Sequence, residues 1–86
     1  MNFEKAAEQV KKLAKEPSDD EKLQVYSLYK QATIGDVNIE KPSATDLKAS
    51  KKFTAWTSRK GMSKEKASGE YVTLVEQLTK KYGVKE

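Results

Sequence analysis

The chain has 86 residues, 35% of them charged and 36% hydrophobic, with a net charge of +4 and neither cysteine nor histidine. That length supports a single domain, residues 1–86, with one modest core and no enclosed cavity. The missing residue types exclude disulfides, cysteine nucleophiles, the usual zinc ligands and the usual general base, so a binding protein is expected rather than an enzyme, with no catalytic and no metal-ligating residues.

The N-terminal stretch Met1-Asn2-Phe3 leads straight into an amphipathic pattern. Neither an apolar leader nor a membrane-spanning run is recognisable, which makes a soluble, cytoplasmic protein the expectation. Phe3, Ala6, Ala7, Val10, Leu13 and Ala14 recur at offsets 0, 3, 4, 7, 10 and 11. This is the stripe of a first helix that buries one face, with Asn2 as its cap. Lys11, Lys12 and Lys15 fall in its later turns, where positive charge favours the terminal carbonyls, and Lys11 is also within reach of a ligand.

Pro17 ends that helix, and Ser18 with Glu21 forms a capping box for the next. The second helix is predicted to run through Leu23, Val25, Leu28 and Ala32 to Gly35. Its apolar residues cover more than one face. Val25, Leu28 and Ala32 suit a bundle core, whereas Tyr26, Tyr29 and Lys30 lie at i, i+3 and i+4 on one side. Two phenols and an ammonium group in that array suit stacking on a flat base and neutralising a phosphate, although tyrosines at this spacing are more often core residues with a wet hydroxyl.

Asp36 to about Asp46 lacks periodicity and reads as a long ordered loop. Such a loop spans up to roughly 36 Å, whereas a fifteen-residue helix is about 22 Å long. The chain can therefore return along the second helix and start a third one parallel to it. That third helix is predicted over Lys48–Lys60, with Phe53 and Trp56 on a buried face, Lys48 and Lys52 on a neighbouring one, and Gly61 as its stop. Residues 47 to 66 carry seven Lys or Arg against the single acid Glu65, a local charge of +6 that leaves −2 for the rest. An anionic partner near the middle of the chain is implied.

Ser63 can cap a fourth helix in which Ala67, Tyr71, Leu74, Val75, Leu78 and Tyr82 repeat at 0, 4, 7, 8, 11 and 15, before Gly83 ends it. Gly69 interrupts it at a cost of about 1 kcal/mol relative to alanine. With no repeats or strand patterns, the chain reads as an all-α, four-helix domain.

The stretches Pro17-Ser18-Asp19, Tyr26-Ser27-Leu28-Tyr29-Lys30-Gln31-Ala32-Thr33-Ile34-Gly35-Asp36, Lys52-Phe53-Thr54-Ala55-Trp56 and Lys80-Lys81-Tyr82-Gly83 closely resemble the acyl-CoA-binding protein family. The resemblance covers nearly the whole chain and implies an up-down-down-up four-helix bundle. It implies high-affinity binding of long-chain fatty acyl-CoA as an intracellular carrier and pool former, with acyl-CoA as ligand and no cofactor or chemical conversion. It assigns Lys11, Tyr26, Tyr29, Lys30, Lys52 and Tyr71 to the CoA head group, and Phe3, Ala7, Leu23, Val25 and Leu47 to the acyl groove. Phe53 stands where the family usually has tryptophan, so aromatic packing is kept and an indole donor is lost. A monomer is expected, with no nucleic-acid partner and no stable membrane insertion, only transient contact with membranes or acyl-CoA-using enzymes.

The alternative is a small basic helical nucleic-acid-binding module, since lysines beside tyrosines also fit a phosphate backbone and stacked bases. Acids interspersed through the first, second and fourth helices weigh against it. A thioesterase or acyltransferase would need an activated nucleophile, and Ser27 and Ser58 have no evident base.

Overall fold

A computed structural model describes residues 1–85 as four α-helices. Helix α1 spans Phe3–Gln9, α2 Asp19–Thr33, α3 Leu47–Thr57 and α4 Lys64–Tyr82. Each starts on a side-chain cap, respectively Asn2, Ser18, Asp46 and Ser63. At α2 the expected capping box forms in both directions. Ser18 Oγ accepts from the Glu21 amide at 3.2 Å, and Glu21 Oε1 accepts from the Ser18 amide at 2.9 Å.

Cross-helix contacts give the topology. Gln9 of α1 meets Thr79 of α4 and Phe3 meets Tyr71, so these helices run parallel. Glu21 meets Tyr82 while Gln31 meets Met62, so α2 and α4 are antiparallel. Lys52 lies over Tyr26 while Lys30 lies over Trp56, so α2 and α3 are parallel, as the loop length predicts. The order is up-down-down-up, with α4 packed between α1 and α2, and α3 on the far flank of α2. Ala6, Leu28, Ala67, Tyr71 and Val75 form the central core, with Val25 and Ala32 half-buried against it.

The second helix ends two residues before the predicted Gly35, at Thr33, and two other predicted ends move further. The first helix was expected to reach Ala14, but it stops at Gln9, and Val10–Lys12 form a 3₁₀ turn. The apolar spacing persists through that turn, which is why periodicity does not reveal the change. What replaces helical bonding is a bridge between Leu13 and Val84. Ala14 N donates to Gly83 O at 2.8 Å and Lys85 N to Lys12 O at 2.7 Å. Gly83, at φ +76°, makes the turn that brings the chain after α4 alongside. The third helix was expected to reach Lys60 and ends at Thr57. Beyond it the chain tightens into successive i to i+3 turns through Met62, and the Gly61 amide donates instead to Asp36 Oδ1 at 2.8 Å.

The long loop is moored at its start. Trp56 Nε1 donates to Gly35 O at 2.9 Å, and Gln31 Nε2 donates both to Asp36 Oδ1 at 2.9 Å and to Met62 O at 2.8 Å. Gly35 adopts φ +101°, a backbone state that a side chain would strain. The Gly61 amide, followed by the Gln31 amide, holds the Asp36 carboxyl below its ordinary pKa.

Candidate functional site

Tyr26 stands between two open grooves. The first, about 470 Å³, lies between α1, α2 and α4 and is walled by Ala7, Val10, Val25, Tyr26, Tyr29 and Tyr71, with Lys11 at its lining. The second, about 600 Å³, lies between α2 and α3. Leu23, Tyr26 and Leu47 supply its apolar surface and Lys48, Lys51 and Lys52 its charge. The pair suits one long ligand with an apolar part and an anionic part better than a small enclosed one.

The cations around Tyr26 are held by aromatic faces. Lys52 Nζ sits 5.3 Å from the Tyr26 ring centroid, and Lys30 Nζ lies 5.9 Å from Tyr26 and 5.8 Å from Trp56. Ring quadrupoles attract ammonium groups without neutralising them. The ion pairs found among the described residues use Lys22, Lys81 and the N-terminal amine, and neither Lys30 nor Lys52. Two positive charges sharing one ring, with no acid bonded to either among the described residues, suit a polyanion such as clustered phosphate.

Tyr29 and Tyr71 divide their rings and hydroxyls differently. Tyr71 is buried, and its ring packs against Phe3 at 5.0 Å and Tyr29 at 5.8 Å. Burial first, and the neighbouring Tyr29 second, push the Tyr71 phenol up to about 12. It therefore stays protonated at neutral pH and available as a hydrogen-bond donor on the first groove. Tyr29 is 40% exposed and stacks on Phe3 at 5.6 Å with a 19° interplanar angle, leaving its outer part open.

The structure thus gathers Lys11, Tyr26, Tyr29 and Tyr71 on the first groove, Tyr26 with Lys52 on the second, and Lys30 beside the Tyr26 and Trp56 rings. The five apolar residues do not form one continuous wall. Ala7 and Val25 line the first groove, Leu23 and Leu47 the second, and Phe3 backs the tyrosines. Leu47 is 69% exposed, so it forms an open lip. Sequence reasoning missed Val10 and Pro17 on the first groove, Asp19 on the second and Lys22 on both. Helical spacing carried part of the signal, since Lys22 precedes Tyr26 by four residues and Val10 follows Ala7 by three.

A small helical bundle with an aromatic and cationic surface between its helices defines a ligand-binding architecture. Comparison with known proteins gives the family. The family described as "Acyl CoA binding protein" matches residues 1–75, and the chain belongs to it. The "Acyl-CoA-binding protein homolog" of Drosophila melanogaster is 54% identical over 80 residues, covering 93% of each chain. The crystal structure of Oryza sativa Acyl-CoA-Binding Protein 2 superposes with a TM-score of 0.87 at 43% identity, over 92% of this chain and 88% of that one. The solution structure of the yeast Acyl Coenzyme A Binding Protein gives 0.76 at 48% identity, over 94% of each.

Proposed function

We propose that this protein binds long-chain fatty acyl-CoA esters and carries them without chemical conversion, as a cytoplasmic monomer that meets membranes and acyl-CoA-using enzymes transiently. The observation that carries this reading is the convergence on Tyr26 of Lys30 and Lys52, neither ion-paired among the described residues, at the junction of two grooves with apolar walls. Adenine and ribose phosphate need an aromatic surface with point cations, which Tyr26, Tyr29, Lys11, Lys30 and Lys52 supply, and the Tyr71 phenol adds a neutral donor. The tail needs area. At about 0.8 kcal/mol per buried methylene, a sixteen-carbon chain contributes roughly 10 kcal/mol before ordering costs. Leu23 and the open lip at Leu47, with Ala7, Val25 and Phe3, are assigned to it.

None of the relatives described above is named for nucleic-acid binding. No helix among the described residues is long and apolar enough to cross a membrane.

Calorimetry tests the two-part site. Palmitoyl-CoA is expected to bind far more tightly than CoA or palmitate alone, because each of these lacks one half of the contacts. Lys30→Ala should weaken palmitoyl-CoA by about 2 kcal/mol, roughly 30-fold. Tyr71→Phe should weaken it by about tenfold with little change in stability, since the ring's packing is retained. Equal affinity for all three ligands would remove the division into head-group and tail sites.

A further inference from the structure

Lys22 lies one turn before Tyr26 on α2 and lines both grooves. No other cation does so. Lys11 belongs to the first groove, and Lys48, Lys51 and Lys52 to the second. In the free protein the Lys22 ammonium donates to the carboxylate of Glu16, which precedes the proline before α2. That hydrogen bond holds the Glu16 carboxyl below its ordinary pKa.

The pair is poorly shielded, with side chains 44% and 75% exposed. Exposed pairs of this kind are weak, because water solvates both partners and two mobile side chains must be ordered. A phosphate carries more charge and more acceptor oxygens than a carboxylate, so it competes effectively for the same ammonium. Asp19 on the second groove opposes an anion there, but four lysines outnumber it. The aliphatic stem of Lys22 meanwhile adds apolar wall where the two grooves meet.

We propose that Lys22 is a further ligand contact, binding a phosphate of the acyl-CoA head group at the groove junction, and that Glu16 is the intramolecular anion displaced when ligand binds. The inference rests on the acyl-CoA reading above. It makes Lys22 a bridge between the two compartments, and Glu16 a brake on affinity.

The experiment compares wild type, Lys22→Met and Glu16→Gln by calorimetry with palmitoyl-CoA and with palmitoyl-pantetheine, which keeps thioester and tail but has no phosphate. Lys22→Met preserves the apolar stem and should weaken palmitoyl-CoA about tenfold, the worth of one charge-assisted contact. It should leave palmitoyl-pantetheine unchanged, and the difference should shrink in high salt. Glu16→Gln should tighten palmitoyl-CoA about twofold to threefold, as expected for removing a weak competing pair. Unchanged palmitoyl-CoA affinity in Lys22→Met would overturn the proposal. Equal weakening for both ligands would do the same by reducing Lys22 to apolar wall. A Glu16→Gln variant that bound no tighter would overturn the displacement. Failure of wild type to bind palmitoyl-CoA would instead remove the parent reading, which separates the two failures.

Discussion

Gln31 shows how a polar side chain with no place in a hydrophobic pattern can organise a site. It is fully buried, and its two amide hydrogens join α2 to Asp36 at the loop start and to Met62 before α4. Its carbonyl oxygen has no hydrogen-bond partner among the described residues. Gln31→Glu would replace both donors by an anion facing the Asp36 carboxylate and the Met62 carbonyl. A buried, uncompensated charge of this kind costs about 3 kcal/mol or more at pH 7. The loss should be smaller at pH 5, because protonation relieves it. Urea unfolding at the two pH values measures both quantities, and equal stability to wild type at pH 7 would contradict this role. Spacing singled out Tyr26, Tyr29 and Lys30 of the candidate site, whereas Lys11, Lys52 and Tyr71 were assigned to it by the family resemblance, and the core role expected of Trp56 is met by its 2% exposure. Gln31 and Ser27 were not legible. Their burial depends on partners 31 and 32 residues away, Met62 for Gln31 and Arg59 for Ser27, and no local pattern contains them.

At the level of helices, caps were readable and ends less so. Asn2, Ser18 and Ser63 cap where side-chain chemistry predicts, because a cap is a local bond. The ends of α1 and α3 depend on competitors elsewhere, the chain after α4 for one and Asp36 for the other. Ser18→Ala should therefore destabilise the fold by about 1 kcal/mol through its cap alone. Gly69 gives the opposite case. A Cβ added there meets nothing within 4 Å, so close packing does not explain the glycine. Gly69→Ala should stabilise the protein by up to about 1 kcal/mol, read as a higher thermal midpoint. A lower midpoint would reveal a constraint on that face.

For the whole molecule, the antiparallel pair α2 and α4 is fastened at one end by Glu21. Its carboxylate accepts from Tyr82 Oη, the Ser18 amide and Lys81 Nζ. The Tyr82 bond, then the Ser18 amide, lowers its pKa from 4.5 to about 2. The folded state thus binds this proton less readily than the unfolded chain. The resulting stabilisation is fully present above about 4.5 and is lost as pH falls towards 2. In Tyr82→Phe the acid limb of a stability-versus-pH profile should flatten over that interval, and an unaltered limb would show that Glu21 does not control it. Tyr71 acts at the other extreme. Its raised pKa means that stability present below pH 10 is lost as pH rises towards 12. The parallel run of α2 and α3 was legible because loop length is a geometric quantity, whereas the full up-down-down-up order came from the family resemblance. The division of apolar residues between two grooves was not legible, since it depends on how three helices meet around Tyr26.

The bridge between Leu13 and Val84 has a consequence for amide exchange with solvent deuterium. The amides of Ala14 and Lys85 lie outside every helix, yet each donates to a carbonyl distant in sequence. They should exchange more slowly than other amides outside the helices, and both should open together when the bridge parts. Lys11 lies in the 3₁₀ turn that ends against this bridge. Ligand held by Lys11 should therefore slow deuterium uptake at Lys85, which lies on no groove wall, making that amide a remote reporter of occupancy. Uptake at Lys85 that ignores saturating palmitoyl-CoA would show that the bridge and the site open independently.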